Sequence, residues 1–166
     1  MTSQNEFVSL LKTHQNIVHK VCNLYMDRHS EREDLFQEIT LQAWKAFKGF
    51  RGDAKFSTWL YRVALNTAIT FYRKEKRSPN IYSTDLVPDT GFIEEINPIE
   101  AQLKAMYTAI GELSKIDKAI VMLYLEDYAY QEIGEMIGIT ANNVAVKMNR
   151  IKSKLKEQSK KHMEQS

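Results

Sequence analysis

Along most of this chain apolar residues recur at threes and fours, and that spacing lapses at length only once. Between Glu6 and about Met26 the residues Phe7, Leu10, Leu11, Val18, Val21, Cys22 and Tyr25 keep the period of a helix with one buried face. Asp27 to Ser30 reads as its end, and a second helix is expected from near Glu31, with Leu35, Ile39, Ala43, Ala46, Phe47 and Phe50 as its stripe. Gly49 and Gly52 then bracket a turn. Phe56-Ser57-Thr58-Trp59 reads as a third helix start, with Ser57 placed to cap free amides and Phe56 to staple against Tyr61. That helix runs to about Lys76 and turns Leu60, Val63, Ala64, Thr67, Ala68 and Phe71 to the core. The lapse follows: Ser78-Pro79-Asn80, Pro88-Asp89-Thr90-Gly91 and Asn97-Pro98 punctuate an aperiodic stretch that reads as a linker. Beyond it the helical period returns through Leu103, Met106, Tyr107 and Ile110, then Ile116, Ile120, Val121 and Leu125. The expectation is an all-α protein of two small helical domains, 1–77 and 99–166, joined by the segment 78–98, the second containing a helix-turn-helix.

Charge separates the same three parts. The formal net charge is only +2, which by itself points to no nucleic-acid partner, so its distribution carries the information. Arg62, Arg73, Lys74, Lys76 and Arg77 crowd the end of the first domain. Lys147, Arg150, Lys152, Lys154, Lys156, Lys160 and Lys161 crowd the end of the second. Between them Asp85, Asp89, Glu94, Glu95 and Glu100 stand with no Lys or Arg from Ser78 to Leu103. Cys22 is the single cysteine, which excludes an intramolecular disulfide and reads as a buried structural thiol. The opening residues lack a basic stretch followed by an apolar run, and no apolar run approaches the ~20 residues of a membrane span. A cytoplasmic location is expected.

Tyr130 to Lys154 has the layout of a helix-turn-helix. Ile133 and Ile137 mark the first helix, Gly138 suits a tight turn of positive φ, and Thr140 can cap a second helix whose scaffold is Val144, Met148 and Ile151. Asn142, Asn143, Ala145, Val146, Lys147, Asn149 and Arg150 are then placed to meet DNA, since a helix fits the major groove and its N-terminal residues reach base edges. Arg150, Lys152 and Lys154 fit phosphate contacts. Read without further context, the same segment also fits a basic, solvated helix on a protein-interaction domain.

In the first domain, Trp59, Arg62, Asn66 and Arg73 combine aromatic, cationic and amide groups away from the expected core face, a mixture suited to unpaired bases and phosphates. Simple packing of Trp59 and Tyr61 is the competing reading. Asp34, Gln37, Glu38, Leu41 and Lys45 form another stripe, opposite Ile39 and Ala46, where a merely solvated face is the plain alternative. Asp34 and Glu38 have no His at matching spacing, and His14, His19, His29 and His162 form no ligand motif. With no glycine-rich phosphate loop and no nucleophile arrangement, neither a cofactor nor an enzymatic activity is expected.

Asp34-Leu35-Phe36-Gln37-Glu38, the run FRGDAKFSTWLYRVALN and the final helix-turn-helix, in that order and separated by a linker, closely resemble regions two and four of extracytoplasmic-function sigma factors. The resemblance covers nearly the whole chain, without a region three. It implies that the first domain recognises and melts the minus-ten element. Asp34, Gln37, Glu38 and Leu41 match the face that docks on the clamp coiled coil of the polymerase β′ subunit. Gly52, Asp53, Ala54, Lys55, Phe56 and Ser57 match the loop that captures a flipped base. Trp59, Tyr61, Arg62 and Asn66 match the adjoining helix, with Arg73 and Lys74 further along it.

The second domain, by the same resemblance, reads the minus-thirty-five element through Thr140, Asn142, Asn143, Ala145, Val146, Lys147, Asn149 and Arg150, and contacts the β flap. Here the chain departs from the common Gly-Thr-Val-Lys-Ser-Arg run: a frequent lysine is Ala145 and a frequent arginine is Lys147. Early phosphate contacts are therefore weaker, and Asn142 and Asn143 alter base preference. The acidic linker resembles the connector that threads the polymerase cleft, with an ordinary tether as the alternative. The implied partners are core RNA polymerase and promoter DNA, with an anti-sigma factor as a further partner of the group. The competing functions are a stand-alone helix-turn-helix regulator and a polymerase-binding protein without DNA specificity.

Overall fold

The computed structural model describes residues 3–75, with side chains as far as residue 71, and residues 97–164. The chain divides into two compact units, Met1–Leu86 and Val87–Ser166. The acidic segment, expected as linker, lies outside the described residues except for Asn97 and Pro98. Among the described residues every regular element is helical and no strand occurs.

Three helices build the first unit: α1 (Ser3–Tyr25), α2 (His29–Ala46) and α3 (Phe56–Glu75), with a 3-10 turn at Phe47–Gly49. Each helix packs on the other two. Phe7, Ile17, Val18, Val21, Cys22 and Tyr25 of α1 meet Leu35, Ile39 and Ala43 of α2 in the core. Burial pushes the Cys22 thiol up to about 11 and raises the Tyr25 hydroxyl as well, so both are held neutral as packing groups. Inside α1 the backbone bends at His14 (φ −111°, ψ 15°), whose ring Nδ1 lies 3.0 Å from the Leu10 carbonyl. A side chain inserted into the helical ladder is a recognised cause of such a bend.

Three local expectations are corrected. Ser57 does not precede α3 but lies within its first turn; the Lys55 carbonyl, which accepts from the Trp59 amide at 3.0 Å, stands at the boundary instead. Ala46 is exposed, because the chain turns off at Phe47 before the α2 stripe can continue. On α3 the core face is Leu60, Tyr61, Ala64, Leu65 and Ala68, while Val63, Thr67 and Phe71 are only half-buried. A helix wedged against two neighbours buries a sector displaced from the one its most apolar residues suggest.

The second unit holds α4 (Pro98–Gly111), α5 (Lys115–Leu125), α6 (Tyr130–Ile137) and α7 (Ala141–Glu164). Asn97 caps α4 by accepting from the Ile99 amide at 3.2 Å, and Ser114 caps α5 by accepting from the Asp117 amide at 3.2 Å. Asp127 makes the α5–α6 turn with φ +66°. Packing of α7 on α4, α5 and α6 buries Val144, Met148 and Ile151, the three residues expected as scaffold. Near its far end, His162 Nε2 lies 2.7 Å from the Glu112 carboxylate at the α4 terminus.

Candidate nucleic-acid interface

The turn between α6 and α7 is built by backbone rather than by side chains. Gly138 takes φ +92°, and the amides of Gly138 and Ile139 both donate to the Gly134 carbonyl, at 2.7 and 2.9 Å. These bonds satisfy the carbonyl end of α6. Thr140 then caps α7, its Oγ1 accepting from the Asn143 amide at 3.1 Å. A Cβ on Gly134 would stand 2.5 Å from the Ile139 carbonyl oxygen, so α6 and the turn meet where only glycine fits. Nothing in the spacing of apolar residues marks that contact; the only cue is a glycine inside a helix, where it is normally unfavourable.

This turn fixes which side of α7 faces outward. Asn142, Asn143, Val146, Asn149 and Arg150 are exposed, and Ala145 and Lys147 are half-buried at its edges. The exposed set offers amide donors and acceptors, a short apolar group and one guanidinium, which suits base-edge contact. Lys152 does not stand free, because its Nζ lies over the Tyr124 ring at 5.2 Å from the centroid.

The loop before α3 exposes Arg51, Gly52, Asp53, Ala54 and Lys55, and Gly52 takes φ +80°. Its two ends are pinned by rings. Phe50 and Phe56 meet edge-on at 5.8 Å between centroids, and Trp59 lies 5.2 Å from Phe50 and 5.3 Å from Phe56. Phe47 approaches Phe7, Phe50 and Trp59 at 5.2, 6.0 and 6.1 Å. A polar loop thus adjoins an aromatic bed gathered from α1, α3 and the 3-10 turn after α2.

That bed revises the expected surface. Phe56 and Tyr61 are buried at 8% and 4% exposure and belong to the core, so neither presents a ring face to a base. Trp59 and Ser57 are half-buried, and Trp59 is largely taken up by its ring neighbours. Arg62 and Asn66 are exposed as expected. Arg73 and Lys74 belong to α3, but their side chains lie outside the described residues.

The α2 stripe divides in two. Leu41 and Gln37 are exposed and, with Gln4, Val8, Phe36 and Trp44, line a mainly apolar groove of about 430 Å³ toward α1. Asp34 is exposed, whereas Glu38 is half-buried and faces α3 with its carboxylate accepting from the Gln42 amide at 3.0 Å. Among the described residues no group of three or more His, Cys, Asp or Glu side chains is placed to hold a metal ion. None of the described helices is long and apolar enough to cross a membrane.

A three-helix unit carrying a polar loop on aromatic rings, followed in the chain by a unit ending in a helix-turn-helix, matches two parts of one family. Residues 10–78 match the model of sigma-70 region 2, and residues 103–155 match that of sigma-70 region 4. The chain belongs to the sigma-70 family, in its extracytoplasmic-function group. It is 28% identical to the ECF RNA polymerase sigma factor SigW of Bacillus subtilis, over 93% of this chain and 89% of that relative. It is likewise 28% identical to the ECF RNA polymerase sigma-E factor of Escherichia coli, over 85% and 80% of the two chains. The fold is similar to that of the sigma factor RpoE of Bartonella quintana, solved with the anti-sigma factor NepR, with a TM-score of 0.62 at 18% identity over 95% and 96% of the chains.

Proposed function

We propose that this protein binds core RNA polymerase and directs promoter-specific initiation of transcription, one unit serving each promoter element. The observation that carries this reading is the presence, in order on one chain, of both regions two and four. A stand-alone regulator would need only the helix-turn-helix and gives residues 10–78 no task.

The residue assignments follow from exposure and chemistry. Asp34, Gln37 and Leu41, beside the apolar groove toward α1, dock on the β′ clamp, with the Asp34 carboxylate supplying complementarity to a basic partner. The loop Gly52 to Lys55, with Arg62 and Asn66, receives bases of the opened minus-ten strand. Asn142, Asn143, Val146, Asn149 and Arg150 read the minus-thirty-five duplex, with Thr140 as the cap that holds the helix start. Ile99, Leu103 and Tyr107, spaced by four on α4 and exposed at 64%, 54% and 73%, form the apolar stripe assigned to the β flap. An anti-sigma factor is a second partner in keeping with the group.

Strand opening on this reading is capture of unstacked bases, with no nucleotide hydrolysis by the chain, which acts as a non-enzymatic cytoplasmic subunit. In vitro transcription from a genomic promoter library tests the proposal. Specific transcripts are expected only when core polymerase and this protein are combined. Tight sequence-specific binding by the isolated protein, without a core-dependent transcript, would assign it to the regulators.

A further inference from the structure

The helix assigned to the duplex is longer than base reading requires. Its 24 residues, Ala141–Glu164, extend about 36 Å at ~1.5 Å per residue. A straight helix of that length cannot follow a curving groove ~12 Å wide, so its far half has to pass over a sugar-phosphate wall. Residues 156–164 also lie beyond the segment 103–155 that matches sigma-70 region 4, and no role has yet been given to them.

The charges of this far half lie on the side that faces DNA. At ~100° per residue, Arg150, Lys154, Lys156, Lys160 and Lys161 all fall within about 80° of Val146, at the centre of the base-reading face. Val144, Met148 and Ile151 point the other way, into the core. Lys154, Lys156, Lys160 and Lys161 are exposed, and among the described residues none of them has a carboxylate within ion-pair distance. Glu157 and Glu164 are the acids on the same face, outnumbered by the lysines. The last turns are tied down from the inner side, where His162 Nε2 lies 2.7 Å from the Glu112 carboxylate, so this end is held instead of left to fray.

We infer that the far half of α7 is a further DNA contact, in which Lys156, Lys160 and Lys161 bind phosphates of the duplex bordering the minus-thirty-five element. The start of the helix carries Asn142, Asn143 and Ala145 and no cation before Lys147, so the charge that holds α7 on the duplex comes from farther along it. Duplex DNA is favoured over an acidic protein surface because these lysines continue the base-reading face itself. Contact between the C-terminal end of a long recognition helix and the DNA backbone is a recurring arrangement. Phosphate contacts position a protein without reading sequence, and an ammonium on a flexible stem suits that task. The inference rests on the sigma-factor reading, which brings duplex promoter DNA to α7.

The test measures closed-complex binding of promoter duplex by the full chain with core polymerase, between ~50 and ~200 mM salt. It compares the wild type with a triple variant, Lys156→Gln, Lys160→Gln and Lys161→Gln, and with the corresponding triple arginine variant. Each phosphate neutralised contributes about 0.9 to the slope of log affinity against log salt, so the glutamine variant should lose about 2 to 3 units of slope. Its affinity at ~100 mM salt should fall at least 10-fold, equally for every sequence in a library randomised at the minus-thirty-five element. Arginine keeps the charge and should keep the slope. Affinity for core polymerase and the circular-dichroism spectrum should not change. An unaltered slope in the glutamine variant overturns the inference, as does a loss confined to particular base sequences. So does weaker binding to core polymerase, which would give this end of α7 to the polymerase. Absence of any core-dependent transcript with the wild type would sink the sigma reading itself, an outcome distinct from an unaltered slope.

Discussion

Replacing Gly134 with alanine tests the account of the helix-turn-helix most directly. The new Cβ would lie 2.5 Å from the Ile139 carbonyl oxygen and 3.3 Å from the Ala141 nitrogen and Thr140 carbonyl carbon. Real Cβ atoms do not approach closer than 3.0 Å, so the two must part by roughly 0.5 Å. The opposing atoms are backbone and cannot rotate away, so the turn itself must move. Overpacking of this kind costs ~1 to 3 kcal/mol, against ~1 kcal/mol gained because alanine favours a helix. Because backbone must yield, the cost lies toward ~2 to 3 kcal/mol, and the net expectation is a loss of about 1 to 2 kcal/mol, or about 4 to 16 °C in the melting of a unit this size. Gly111→Ala, where an added Cβ meets nothing within 4 Å, is the control and should not destabilise. Both tryptophans, Trp44 and Trp59, lie in the first unit. Their fluorescence transition should stay unchanged while part of the circular-dichroism transition shifts down. Transcription should fall most on promoters that depend on the minus-thirty-five element, because α7 starts at the displaced turn. A Gly134→Ala protein as stable as the wild type would refute the close approach and the reasoning built on it.

Asp34→Lys combined with Leu41→Lys should weaken core-polymerase binding at least 100-fold with an unchanged circular-dichroism spectrum, both residues being exposed; wild-type affinity would show a merely solvated face. Asn66→Ala should leave thermal stability intact yet suppress bubble formation seen by permanganate footprinting, with recovery on premelted DNA. Trp59→Ala should instead destabilise the first unit by about 2 to 4 kcal/mol, since it removes a ring packed between Phe50 and Phe56. The Cys22 thiol stays protonated in the fold up to about 11, whereas once unfolded it ionises near its ordinary 9. The unfolded state therefore binds fewer protons in that window, and the first unit should lose stability as pH rises from 9 toward 11, with Tyr25 adding to the loss. Alkylation of native Cys22 at pH 8 should be slow and become fast in denaturant; rapid native labelling would contradict its burial.

Periodicity and punctuation determined much of this protein before any coordinates. The seven helices among the described residues follow from apolar spacing and from local stops such as Asn97-Pro98, Gly138 and Thr140, all of which act within a few residues of themselves. The scaffold of α7 was legible for the same reason. The family resemblance supplied the order of motifs and the residues worth examining. Only tertiary structure decided which sector of α3 is buried, and so moved Tyr61 into the core and left Phe71 on a cavity wall. It also gathered Phe7, Phe47, Phe50, Phe56 and Trp59 beneath one loop, divided Glu38 from Gln37 and Leu41, and set Gly134 against Ile139. A helix's period says that one face is apolar, but the angle at which two neighbouring helices meet it selects the buried sector. That angle is set by packing among residues distant in the chain, and no local spacing records it.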